Sequence, residues 1–487
     1  RLQTFIPFIF VGDIIKKDSK HRSPLAINGS FSIPFLQDVN QFGDTGIFIF
    51  IQQEQRIYVD GKSKFAVWQL KSVVAVTLPQ IGFNFTTNQL FWLAAAPALS
   101  GATLRIFYSF MVPMFGGRRW TALSTASLLI PALGIGVAIQ DPSTSYATML
   151  VLALLCGFGG GNFASSMANI NFFFPKERKG SALGVNAGLG NLGVSAVQFL
   201  APLVVALGVY GPLAGGPQTV VNAAGQSAQI WAQNAAFVWV PFIVICAVAA
   251  WIGMNDIADA KASFREQAVI FRRKHNWLMC WLYLGTFGSF IGFSAGFPLL
   301  IKSQFPGVNA LEFAWMGPFI GAVIRPFGGW LSDKLGGARV TFWNFVVMVV
   351  GVLGVLYFLP QGGAGGNLTG FFSCFMVLFL TTGIGNGSTF RMIPVIFLTE
   401  RQRAAKGLGP AAQEQAIKDA NKEGAAVLGF SSAIGAYGGF FIPKSYGSSI
   451  ALTGSPDAAL MVFIVFYLVC IAITWWHYAR KNAPMPC

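Results

Sequence analysis

Charged residues are scarce in this sequence. Only 10% of its 487 residues are charged, whereas a soluble domain carries about 25%. Hydrophobic residues make up 54%, with 47 phenylalanines and a mean hydropathy of +0.59. A chain with so few charges cannot cover its surface with groups that water solvates, so its composition excludes a soluble protein. We expect lipid to surround most of it.

Cysteine pairs and histidine clusters, the usual signs of disulfides and metal sites, are also missing. The six cysteines form no Cys-x-x-Cys pair, and five of them lie in apolar stretches, which predicts no disulfide framework. The three histidines, His21, His275 and His477, are scattered and predict no metal centre. The glycine-rich segments lack the Gly-Lys-Ser/Thr of a phosphate-binding loop, so we expect neither a cofactor nor a catalytic site.

The net charge of +15 lies in short loops between apolar stretches, which is typical of membrane orientation rather than of nucleic-acid binding. Nineteen Lys and Arg residues lie in loops on one side of the predicted spans, against only Lys302 and Lys444 on the other. Because basic loops remain in the cytoplasm, the first side is predicted to be cytoplasmic, together with the carboxyl terminus.

Eleven stretches are long and apolar enough to cross the membrane, which takes about 20 residues per helix. A twelfth span is expected before them, and residues 65–76 are the best candidate, although this stretch is short and contains Lys71. The eleven are 90–115, 120–139, 146–173, 182–208, 235–254, 277–301, 313–331, 340–358, 371–396, 425–442 and 459–476.

These spans predict an all-α membrane protein with a poorly formed first helix. We divide it into an unassigned segment 1–64, a six-helix half at 65–254, a cytoplasmic linker at 255–276 and a second six-helix half at 277–487. Residues 1–64 mix polar stretches with short apolar bursts and do not look like a signal peptide. They suggest a truncated or misread amino terminus, to which we assign no function.

A pattern of six residues occurs twice with a constant offset of 220. Two parallel six-helix halves with a site between them are the plan of the major facilitator superfamily. Residues 329–339 also resemble the cytoplasmic loop signature of that superfamily. A weaker similarity relates 183–193 to 428–438 at an offset of 245, as expected if 399–423 is an insertion. The repeated residues are Arg105, Phe107, Gly116, Gly117, Arg119 and Thr121, and Arg325, Phe327, Gly336, Gly337, Arg339 and Thr341.

Arg105 and Arg325 carry the functional prediction. Each lies eleven residues before the Gly-Gly that ends its span, about 16 Å along a helix and thus near the middle of a ~30 Å hydrocarbon core. An arginine there costs at least ~2.5–3.5 kcal/mol, and the predicted spans contain no Asp or Glu that could neutralise it. The pair therefore predicts an anion site rather than a buried ion pair.

The same two arginines suggest a substrate and a mechanism. Their planar, paired donors fit the planar oxyanions nitrate and nitrite. Repulsion between the two charges disfavours a closed, empty cavity, and a bound anion removes that cost, which favours obligatory exchange. Arginine does not titrate, so the residues favour exchange over proton symport. A carboxylate at a span edge or a protonated substrate could still support symport, and Arg391 has either a pathway or an interfacial role.

Residues 157–175 and 383–394 look like the two signature motifs of the nitrate/nitrite porter (NarK-type) family of the major facilitator superfamily, and 77–120 and 286–297 also resemble its members. The resemblance covers about 65–478. It implies a twelve-helix transporter of nitrate and nitrite in the bacterial inner membrane, which we expect to work as a monomer. Lys71 and Arg391 depart from the family pattern.

The resemblance also implies roles for single residues. Arg105 and Arg325 match the family's paired substrate arginines. Asn191 and Tyr283 match polar contacts to the anion, and Phe163 and Phe287 match aromatic residues that wall it.

Three other functions remain open from the sequence. The first is proton-coupled nitrate symport on the same fold. The second is transport of another anion, such as phosphate or an organic carboxylate, which an aromatic-lined pocket disfavours. The third is a membrane sensor or an enzyme, although the sequence shows no catalytic dyad and no signalling domain.

Overall fold

A computed structural model describes residues 64–173, 176–221, 227–256, 268–360 and 365–487, and most of these residues are helical. The predicted segment 1–64, apart from Lys64, and half of the predicted linker, residues 257–267, lie outside the described residues. The first helix, α1, covers 64–77. The helices that follow before the linker are α2 (Thr87–Phe115), α3 (Gly117–Ala126), α4 (Leu129–Ala138), α5 (Tyr146–Leu155), α6 (Gly157–Phe173), α7 (Lys176–Val205), α8 (Asn234–Phe237) and α9 (Trp239–Gly253).

Eight helices and two π-helical turns, Leu284–Gly288 and Trp475–Ala479, follow the linker within the described residues. The helices are α10 (Lys274–Tyr283), α11 (Ser289–Gln304), α12 (Met316–Leu335), α13 (Gly337–Phe358), α14 (Leu368–Ala404), α15 (Pro410–Ala436), α16 (Gly438–Thr453) and α17 (Asp457–Thr474). Short 3₁₀ turns cover Leu78–Ile81, Gly211–Ala214, Ala268–Arg272 and Ala310–Glu312.

Ten helical stretches in the described part of the chain are long and apolar enough to cross a membrane, which confirms the predicted class of all-α membrane protein. The stretch predicted at 313–331 corresponds to α12, which is not among these ten. Its Arg325, Asp333 and Lys334 make it less apolar than the others. The candidate first span is short, as expected. Every residue of α1 is nevertheless buried, including Lys71.

A small pair of β-strands lies among the helices of the described residues. Strand β1 (Gln218–Val221) pairs antiparallel with β2 (Ser227–Ile230), so that Gln218 lies opposite Ile230. This pair of strands was not predictable from the sequence. Each strand has only four residues, too few for an alternating pattern to stand out from the surrounding glycine- and glutamine-rich loop.

Glycines bring the helices of the interior close together. A Cβ atom on Gly159 would lie 2.2 Å from the Lys64 carbonyl oxygen, and one on Gly387 would lie 2.4 Å from the Arg325 carbonyl oxygen. Side chains at these positions would push α1 away from α6 and α12 away from α14. The glycine-rich segments therefore act in helix packing, as small residues do in membrane proteins.

The repeated sequence pattern corresponds to a repeated backbone conformation. Gly116 (φ +86°) joins α2 to α3, and Gly336 (φ +90°) joins α12 to α13. The residue two positions later donates its backbone N–H in both copies, Arg118 to Asp256 Oδ1 at 2.8 Å and Ala338 to the Cys487 carbonyl oxygen at 3.0 Å. In both copies, a free backbone N–H at the start of the helix is thus satisfied by an oxygen from a segment that follows a later helix.

We expect Gly336→Ala to lower the free energy of unfolding by about 1–3 kcal/mol, because a φ near +90° is strained for any residue with a Cβ atom. The measurement is thermal unfolding in detergent. Gly329→Ala is the matched control, since Gly329 is helical and a Cβ atom there would contact nothing within 4 Å. Equal stability of the two variants would contradict the expectation.

Candidate functional site

Arg105 is buried in α2 and is held by groups from distant parts of the chain. Its side chain is 1% exposed. Nε donates to the Gly160 carbonyl oxygen at 2.9 Å, and Nη1 donates to the Ser432 carbonyl oxygen at 2.8 Å. Nη2 is buried and has no hydrogen-bond partner among the described residues. One donor nitrogen of this guanidinium is therefore unused.

Three aromatic rings surround the Arg105 guanidinium. Its carbon Cζ lies 4.7 Å from the ring centre of Phe163, 5.0 Å from that of Trp68 and 5.2 Å from that of Phe287. The negative ring faces attract a cation. The rings therefore stabilise the buried charge without neutralising it.

Arg325 has a similar environment in α12. It is 5% exposed, and its Nη2 donates to the Tyr283 hydroxyl at 3.2 Å. Its Cζ lies 5.3 Å from the ring centre of Phe390. Nη1 is buried and unpartnered within the described chain. Each arginine thus combines an aromatic face with one unused donor nitrogen.

A π-helical turn connects the surroundings of the two arginines. The turn Leu284–Gly288 widens the helix, and the rings of Tyr283 and Phe287 stack with centroids 5.3 Å apart and an interplanar angle of 18°. Such turns occur often at functional sites, and here Tyr283, just before the turn, offers its hydroxyl to Arg325, while Phe287, within it, places its ring against Arg105.

The two arginines occupy corresponding positions in their helices, and their like charges repel each other. Each is ten residues before the last residue of its helix, Phe115 in α2 and Leu335 in α12. Two stacked rings link the arginines, since Tyr283 binds Arg325 and stacks on Phe287, which packs on Arg105. No carboxylate of the described residues lies within 4 Å of either guanidinium. The described residues therefore provide no counter-ion for the two positive charges of the site.

The buried carboxylate of α15 belongs to a different cluster. Glu423 forms ion pairs with Arg273 at 3.0 Å and with Arg401. It precedes Ser432 by nine residues on one helix, which is about 13 Å at 1.5 Å per residue. It does not neutralise the paired arginines.

Asn191 lies near the aromatic rings around Arg105, but it forms no hydrogen bond with either arginine. It is fully buried, and both of its amide atoms lack a partner in the described chain. A Cβ atom on the preceding Gly190 would lie 3.2 Å from the ring of Phe65, which meets Phe163 edge-on at 5.7 Å. Asn191 thus follows a residue that packs against the aromatic wall of the site.

The structure joins five of the six predicted site residues through direct contacts, namely Arg105, Phe163, Phe287, Tyr283 and Arg325. Asn191 connects to them through the packing around its neighbour Gly190.

Two neighbours of the arginines, Trp68 and Phe390, were not among the predicted site residues. Trp68 lies on α1, which is too short to stand out as a span. Phe390 follows the glycine-rich part of the second signature segment, as Phe163 does in the first, and that correspondence could have identified it.

Arg391 lies outside the arginine site. Its Nε donates to Asp333 Oδ1 near the carboxyl-terminal end of α12, and both side chains are about half exposed. The ion pair connects α14 to α12 outside the arginine site.

Three comparisons place the chain among known proteins. Residues 63–412 match the family model "Major Facilitator Superfamily". The "Nitrate/nitrite transporter NarU" of Escherichia coli (strain K12) is 55% identical over 86% of this chain and 89% of its own length. The "Probable nitrate/nitrite antiporter NarK2" of Thermus thermophilus is 41% identical over 87% of this chain and 91% of its own.

Solved structures support the fold. An inward-facing, occupied structure of a bacterial homologue of the human lysosomal transporter Spinster matches with a TM-score of 0.57. The match covers 89% of this chain and 97% of that one, at 14% sequence identity. An identity this low supports the major facilitator fold alone.

We expect Tyr283→Phe to lower the free energy of unfolding by about 1–3 kcal/mol, because it removes the hydroxyl that accepts from buried Arg325 and keeps the stacked ring. The measurement is thermal unfolding in detergent without added anions. Tyr446→Phe is the matched control, because the buried Tyr446 hydroxyl has no hydrogen-bond partner among the described residues. A larger loss in Tyr446→Phe would contradict this account of Arg325.

Proposed function

The chain belongs to the nitrate/nitrite transporter (NarK-type) family of the major facilitator superfamily, and on that premise we propose that it exchanges nitrate for nitrite across the bacterial inner membrane. Members of the family are transporters and not enzymes. We propose that the anion binds between Arg105 and Arg325 and that the halves 65–254 and 277–487 move around it.

One observation carries the proposal. Two buried guanidiniums share a site without a carboxylate, and each keeps one terminal nitrogen without a hydrogen-bond partner among the described residues. A buried, unpaired charged donor is costly. An anion that bridges Arg105 Nη2 and Arg325 Nη1 satisfies both donors and reduces the repulsion between the two cations.

The aromatic rings favour a small, planar, weakly hydrated anion. Phe163, Phe287 and Phe390 offer flat apolar surfaces and no hydrogen bonds to replace a tightly held water shell. Nitrate and nitrite spread one charge over a planar group that fits the guanidinium fork. Phosphate keeps a higher charge density and loses more hydration on entering such a site.

Exchange follows from the cost of closing the empty site. Closure without an anion leaves two like charges in a water-poor cavity with unpaired donors. The loaded carrier can change its facing direction more easily than the empty one, so a counter-substrate is needed for the return. Both arginines come from one chain, and we therefore infer that a monomer is sufficient.

Lys71 is the observation that favours proton-coupled symport as a second candidate. Its side chain is fully buried in α1, and Nζ lies 3.9 Å from Met149 Sδ. A buried lysine can release a proton, unlike arginine. It contacts α5 rather than the paired arginines, and for that reason we rank symport second.

Proteoliposomes separate the two candidates. We expect labelled nitrate to enter vesicles rapidly when they contain nitrite, and an imposed pH gradient without internal nitrite to drive little uptake. The Lys71→Met variant should exchange normally. Uptake that needs the pH gradient, and that Lys71→Met abolishes, would replace exchange by symport.

We expect Arg105→Lys to abolish transport while insertion into the membrane stays intact, because an ammonium keeps the charge but cannot present the planar fork. Counterflow of labelled nitrate against nitrite measures the loss. Arg391→Lys is the matched control, since it keeps a charge beside Asp333 outside the site. Near-normal exchange by Arg105→Lys would count against binding by paired donors.

A further inference from the structure

Two buried asparagines differ from the other buried amide side chains of the described residues. Asn191 and Asn386 leave both amide atoms without a hydrogen-bond partner, whereas the other buried asparagines and glutamines leave at most one amide atom in that state. Asn191 already belongs to the proposed site. Asn386 lies in the second half of the chain, within the glycine-rich part of α14.

Contacts of its neighbours place Asn386 beside Arg325. The next residue, Gly387, is so close to α12 that a Cβ atom would lie 2.4 Å from the Arg325 carbonyl oxygen. Phe390 lies four residues after Asn386, on the same face of the helix, and its ring centre lies 5.3 Å from the Arg325 guanidinium carbon. Asn386 is therefore level with the Arg325 backbone, one turn from the ring that covers its charge.

Other polar side chains on this stretch already have partners. The Thr382 hydroxyl donates to the Phe379 carbonyl oxygen at 2.8 Å, and the Thr389 hydroxyl donates to the Gly385 carbonyl oxygen at 2.7 Å. The Asn386 amide keeps its full capacity. A fully buried amide without partners is costly, so a ligand that satisfies it gains affinity.

We propose that Asn386 donates its amide N–H to an oxygen of bound nitrate and makes the site prefer nitrate to nitrite. This inference rests on the proposed function. Nitrate has three oxygens, of which two can face the unused nitrogens of Arg105 and Arg325 and the third can face an amide donor. Nitrite has only two oxygens, so it leaves the amide unpaired when both arginines are engaged. A site built to bond a group rejects the ligand that lacks it.

The test compares Kd values for nitrate and nitrite in purified protein by calorimetry. Asn386→Leu keeps the size and removes the donor. We expect its Kd for nitrate to rise at least about tenfold, as for a lost hydrogen bond to a charged ligand, while its Kd for nitrite changes little. Asn344→Leu is the matched control, since Asn344 is a buried asparagine whose Nδ2 contacts Met348 Sδ at 3.6 Å; its preference should stay that of the wild type.

An unchanged ratio of the two Kd values in Asn386→Leu, through no effect or through an equal loss for both anions, overturns the assignment. Asn386→Ser, which keeps a donor but shortens its reach, tests the same ratio if the leucine variant does not insert. Failure of the wild-type protein to bind either anion would instead overturn the proposed function, so the two failures are distinguishable.

Discussion

Mutual repulsion between two buried guanidiniums is the constraint on which this site depends. The positive charges of Arg105 and Arg325 are stabilised by polar groups and aromatic rings of the described residues, and not by carboxylates. Two backbone carbonyl oxygens hold Arg105, the Tyr283 hydroxyl holds Arg325, and aromatic faces cover both. A carboxylate would neutralise one cation and close the site to anions. Dipoles and rings fix the side chains and leave the positive charge for a ligand.

Glycine provides the close packing that this arrangement requires. Gly160 offers its carbonyl oxygen to Arg105, and a Cβ atom on it would lie 2.5 Å from the ring of Trp68. Gly387 lets α14 approach the backbone of Arg325 in the same way. The two signature segments therefore serve the site in two ways: their glycines let α6 and α14 pack closely, and their own Phe163 and Phe390 cover the charges.

The sequence predicted the parts of the site that charge and repetition reveal. Arginine in an apolar span is conspicuous, and the constant offset of 220 is enough to pair Arg105 with Arg325. Trp68 was not predictable, because aromatic residues are common in membrane helices and only the fold brings this ring to Arg105. The partner of Arg391 was equally hidden, since Asp333 lies 58 residues away in sequence. Composition reveals the membrane class, but contacts between distant helices depend on packing.

The two arginines differ in a way that bears on the mechanism. Arg325 is hydrogen-bonded to Tyr283, which belongs to the same proposed half. Arg105 is bonded on one side to Gly160 of its own half and on the other to Ser432 of the opposite half. In the proposed exchange cycle, separation of the halves at this level would break the Ser432 bond and free a second nitrogen of Arg105. An anion would then bind the freed donor, so that substrate would compete with the contact between the proposed halves. Such competition would connect binding to movement without any group that titrates.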